Sequence, residues 1–160
     1  MNKVDSNAFK DALNNRDPSA LSLGHQMGHE MILRRKHVMR ALYDFSVSGG
    51  AVGAISLLDE SGKAAIIPNK AIITDVFIDV LTPPTSGGSA TIAFGVNTTT
   101  DLKGATAIAS YTGIVAGVPV GTAASAVKTT ADRTVTATVA TAALTAGKMY
   151  VMVEYILSET

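Results

Sequence analysis

Residues 70–96 constrain the fold more than any other part of the chain. In IITDVFIDV, Ile72, Val76, Ile78 and Val80 share one side of an extended chain, with Asp75, Asp79, Ile73, Phe77 and Leu81 on the other. That is a period of two, and the β-branched density agrees with a strand. Pro83, Pro84, Gly87 and Gly88 then predict a stop and a turn. From Ser89 the pattern resumes, with Ala90, Ile92, Phe94 and Val96 on one side. A hairpin with one strongly apolar face needs a second sheet to cover it, so the expected body has two β layers.

The 160 residues suffice for one domain with a core plus a short appendage. Thirteen basic residues balance thirteen acidic ones, and only 16% of the chain is charged, which argues against a nucleic-acid partner. Cysteine is absent, so packing has to carry the stability without disulfides or thiolate metal sites. No run approaches the ~18 apolar residues that would span a bilayer, and the first residues lack a secretory pattern, so a soluble protein without a membrane partner is expected. Aromatic residues make up 5%, with no Trp, while small and β-branched residues dominate the second half. That composition suits tight sheets and subunit contacts better than an aromatic-lined ligand pocket.

The segment 1–40 reads as a partly helical arm and 41–160 as the body. A short helix over 5–16 would place Ala8, Phe9, Ala12 and Leu13 on one face, and three turns need a partner surface to hold them. A second helix is expected over 25–36, with Met27, Met31 and Met39 giving this region an adaptable apolar side. Strands are expected over 40–48, 51–58, 134–141 and 149–157, with a polar turn at 59–63. Residues 97–107 read as a loop or irregular crossing, and 108–120 as a weak apolar stretch broken by Gly113, Gly117 and Pro119. Seven or eight short strands imply a mainly β, antiparallel sandwich or jelly-roll-like body.

No catalytic constellation emerges. His25 and His29 would share a helix face, but the Glu of the zinc-protease motif is missing, and surface or interface histidines are the commoner reading. Asp75 and Asp79 on one strand stand roughly 13 Å apart, too far for a carboxylate dyad. Neither a hydrolase elbow nor a phosphate loop occurs. Arg34, Arg35, Lys36 and Arg40 form a basic cluster suited to a solvated face or to acidic groups of another protein. The expectation is a non-enzyme with no cofactor and no metal.

Three phrases carry a resemblance to a known family: IIPNKAIITDVFIDVLT, the turn and strand GGSATIAFGVNTTTDLKGAT, and the closing TVTATVATAALTAGKMYVMVEYI. Over residues 51–156 the chain resembles head decoration, capsid cement and head-fibre proteins of tailed bacteriophages. The resemblance implies a structural virion protein, made in the host cytoplasm, that bridges neighbouring subunits on the outside of the capsid. Its implied partners are the major capsid protein and other copies of itself, a homotrimer before a dimer. Phe9, Leu13, Met27, Met31, Arg34, Arg35, Lys36 and Arg40 are then the capsid-contact candidates. Tyr150, Met152, Val153 and Tyr155, from a last strand apolar on both faces, are the candidates for contacts between copies. A tail or fibre module contacting host glycan is the alternative, and the lack of Trp counts against sugar stacking.

Overall fold

Two antiparallel sheets enclose a core built almost entirely from aliphatic side chains and alanine, with Tyr43, Phe94 and Tyr111 as its aromatic members. The computed structural model describes residues 35–120 and 124–158. The first sheet runs in the order β1 (His37–Asp44), β11 (Leu144–Leu157), β4 (Ala71–Ser86), β7 (Gly113–Val120), and β8 (Val127–Lys128) also pairs with β4. The second runs β2 (Gly53–Ser56), β10 (Thr136–Ala140), β5 (Thr91–Gly95), β6 (Lys103–Ala107). A two-stranded ribbon joins β3 (Ile66–Ile67) to β9 (Arg133–Thr134). The body is therefore the expected β-sandwich, and the described residues from Lys36 onward form one compact unit.

The stretch over residues 70–96 departs from the expected hairpin. β4 and β5 lie in different sheets, so the chain crosses between layers at residues 87–90 and the two apolar faces meet across the core. Each strand thereby helps to cover the other. Pro83 and Pro84 do not stop β4, which continues to Ser86. They fit because β11 yields there: Thr82 pairs with Lys148 and Thr85 with Ala146, leaving both prolines opposite Gly147 alone. Gly147 sits at φ +142°, and a Cβ on it would come within 3.1 Å of the Pro84 Cα. On the other side β7 pairs with β4 only as far as Val80, so the prolines interrupt no ladder there.

A second bulge changes which isoleucine is inside. Asp75 pairs with Glu154 and Ile73 with Tyr155, so Thr74 is an extra residue that flips the alternation. Ile73 joins Val76, Ile78 and Val80 in the core, and Ile72, expected there, is only half-buried. Val135, Ala137 and Val139 of the β10 region, with Met149, Val151 and Val153 of β11, are buried as their alternation predicts. β11 starts five residues before the expected 149 and takes in Ala146 and Gly147.

Two further expectations are corrected. β1 begins at His37, so residues 37–40 are a strand of the body rather than part of an arm, and residues 35–36 are not helical. At its other end β1 gives way to a helical turn, α1 (Phe45–Ser48), because the Asp44 carboxylate accepts the Ser46 N–H at 2.9 Å and caps it. Residues 103–107, read as loop, form β6. The loop before β6 is held by Asp101, whose carboxylate accepts the N–H groups of Val96, Asn97 and Thr98 at 2.8–3.0 Å.

Candidate interaction surface

The outer face of the five-stranded sheet is where the body departs from an ordinary solvated surface. Strand register sets its side chains in rows. Arg40, Met152, Phe77 and Ala116 cross the sheet in one row, and Leu42, Tyr150, Asp79 and Ile114 in the next. Ile114 is 74% exposed, Val38 54% and Phe77 36%, with Leu81 and Val118 also open on the same sheet. Met152, Tyr150 and Leu42 fill the space between them, half-buried. The solvent side of a half-buried antiparallel sheet is ordinarily polar, and here it is mostly apolar.

Charges frame this face. Lys36 pairs with Glu154 at 2.9 Å and Lys148 with Asp44 at 2.8 Å. Arg40 pairs with Glu60 and lays its guanidinium over the Tyr150 ring, 4.4 Å from the centroid. The Lys148 ammonium and the Ser46 hydroxyl and N–H together hold the Asp44 carboxyl at about 2, below its usual range. The hydrogen bond from Lys36 to Glu154 raises the ammonium's pKa. His37 stacks on Tyr155 with ring centroids 5.3 Å apart.

Of the candidates for contacts between copies, Tyr150 and Met152 stand on this outer face, whereas Tyr155 alternates with Val153 to the inner side, opposite Ile73, and packs half-buried against the core. Val153 does not: it is fully buried in the core and meets no surface. Lys36 and Arg40 lie on the same face by strand alternation, and Arg35 is exposed. Phe9, Leu13, Met27, Met31 and Arg34, together with His25 and His29, fall outside the described residues. Phe77, Ile114 and Val38 were not singled out from the sequence. Phe77 alternates with Asp75 and Asp79 on the side opposite the expected core face, and Ile114 sits in a stretch whose glycines and proline hide the alternation.

Among the described residues, no three side chains of metal-ligating type gather. No described helix is long and apolar enough to cross a membrane. A groove of about 330 Å³ lies beside β1, lined by Val38, Met39, Arg40, Asp59, Glu60 and Ser61.

No protein-family model matches the chain, and no curated protein matches it. Solved structures do. A chain in the acid-stable capsid of Helicobacter pylori bacteriophage KHP30 is similar with a TM-score of 0.53 and 16% identity, over 76% of this chain and 87% of that one. The sandwich is a fold of phage capsids. A chain of the cyanophage Pam1 capsid asymmetric unit gives a TM-score of 0.53 at 21% identity, and one in the capsid of Ralstonia phage GP4 gives 0.50 at 20%. Each of these two matches covers 78% of this chain and 86% of the other. The likeness therefore takes in nearly the whole of each capsid chain and is one of fold at low identity.

Proposed function

We propose that this protein is a structural virion protein that decorates and stabilises the outer surface of a phage capsid by bridging neighbouring shell subunits. The observation that carries the reading is the fold likeness to chains of three phage capsids, which spans 86–87% of each of those chains.

In this reading the major capsid protein is one partner and further copies of the chain are the other. Copies meet through the outer face of the five-stranded sheet, where Phe77, Ile114, Met152 and Tyr150 would lose water on contact. Covering such a face contributes roughly 25 cal/mol per Å² of apolar surface. A homotrimer on a local three-fold axis is favoured over a dimer. The segment before the body carries Phe9, Leu13, Met27, Met31 and Arg34 as its shell contacts, and several copies docking together multiply a weak individual attachment.

The test is thermal release of DNA from full heads prepared without this protein. Adding the purified chain back should raise the release temperature, and a chain lacking residues 1–18 should restore less of it. Heads that release DNA at the same temperature with and without the protein would remove the stabilising role.

A further inference from the structure

The outer edge of β1, to which no described strand adds, is the second unusual surface of the body. Leu42 exchanges both of its main-chain bonds with Leu58: its N–H reaches the Leu58 oxygen at 2.7 Å, and its C=O accepts the Leu58 N–H at 3.1 Å. Leu42 thus turns its backbone away from β11, although it stands opposite Tyr150. In an antiparallel strand both groups of one residue point the same way and alternate residues point oppositely, so Val38 and Arg40 aim theirs at this same outer edge.

Past Leu58 the chain leaves that edge. The Asp59 carboxylate accepts the N–H groups of Ser61 at 2.8 Å and Lys63 at 2.9 Å and folds residues 59–63 into a turn. The groove of about 330 Å³ beside Val38, Met39 and Arg40 is the space that a longer strand would have filled. Among the described residues no strand closes it, since β1 ends the sheet order. An open edge of this kind is a template for strand addition.

A second copy fits this edge badly. Antiparallel pairing centred on Met39 puts Lys36 opposite Leu42, a place already taken by Leu58. Centring it on Val38 sets Lys36 directly opposite Arg40, two like charges. An extended segment of a different protein has neither obstacle. Lys36 and Arg40 are themselves exposed and each holds one carboxylate, the half-buried Glu154 and the exposed Glu60; ion pairs at the surface contribute little in water, so exchanging them for a partner's carboxylates costs little.

We propose that the edge of β1 receives an extended segment of the capsid shell protein, apolar where it faces Val38 and acidic where it faces Lys36 and Arg40. This inference rests on the reading above that the shell is the partner. The probe is phage heads stripped of this protein, and the readout is hydrogen exchange of the full chain, free and head-bound. The Val38 and Arg40 amides should exchange freely in the unbound chain and slowly on heads. Val38→Pro removes a donor that points away from β11; it should keep the melting temperature near wild type and weaken head binding about tenfold, the loss of one main-chain hydrogen bond.

Unchanged exchange at these amides on heads that do bind the chain would overturn the inference and leave the capsid reading standing. Slow exchange in the unbound chain would assign the edge to another segment of the same molecule and also overturn it. A wild-type chain with no affinity for heads would remove the capsid reading and the inference with it. If Val38→Pro fails to fold, the wild-type exchange decides.

Discussion

At the residue scale, two ionisable side chains tie the body's stability to pH. Tyr111 is fully buried, donates its hydroxyl to the Ile92 carbonyl at 2.9 Å and meets Phe94 edge-on, with centroids 6.0 Å apart. Burial pushes that hydroxyl up to about 12, above the usual tyrosine value near 10. The folded value is raised, so its contribution is complete below about pH 10 and is lost as pH climbs toward 12. Absorbance titration of tyrosinate should show one late step, and Tyr111→Phe should remove it while costing about 1–2 kcal/mol for the stranded Ile92 carbonyl. Asp44 works in the opposite sense. Its folded value of about 2 is depressed, so its contribution is complete above about pH 4 and fades as pH falls toward 2. Asp44→Asn should flatten the acid limb of a melting-temperature profile between those limits. Neither role was legible from sequence, because Tyr111 owes its shift to burial and Asp44 owes its own first to Lys148, and only the fold supplies either.

At the scale of elements, period-two alternation was a sound guide wherever a strand kept its register. β10 and the second half of β11 place their core residues as the pattern predicts, and a charge there should be severe. Val153→Asp would bury an unpaired carboxylate against Val76 and Met39 and should cost several kcal/mol, seen as a large drop in denaturation midpoint. Alternation failed at Thr74 and Gly147, where one strand carries more residues than its partner, because bulges depend on the neighbouring strand and leave no local mark. Prolines misled for a related reason: they read as stops on their own chain, but β11 makes room for them. Gly95 shows a constraint that composition conceals, since a Cβ there would lie 1.7 Å from the Thr98 oxygen of the loop that Asp101 ties down. Gly95→Ala should therefore destabilise the body by more than the few tenths of a kcal/mol usual for surface changes, with the midpoint of urea unfolding as the check.

At the scale of the whole molecule, the mainly β body and its sandwich architecture were legible from strand count and turn spacing, and the resemblance to phage capsid-associated proteins agrees with the fold. The apolar outer face was only half legible. Tyr150 and Met152 could be found because β11 is apolar on both sides, whereas Phe77 and Ile114 become a surface only when β4 and β7 pair beside it. If that face joins copies of the chain, Phe77→Asp with Ile114→Asp should leave melting close to wild type and reduce the solution mass measured by light scattering to that of one chain. The central claim, that the protein is part of the capsid exterior, is tested most directly by its copy number in purified virions. Quantitative mass spectrometry should find it at a fixed, simple ratio to the major capsid protein. Absence from purified particles would contradict the account, and a handful of copies per particle would point instead to a tail or fibre module.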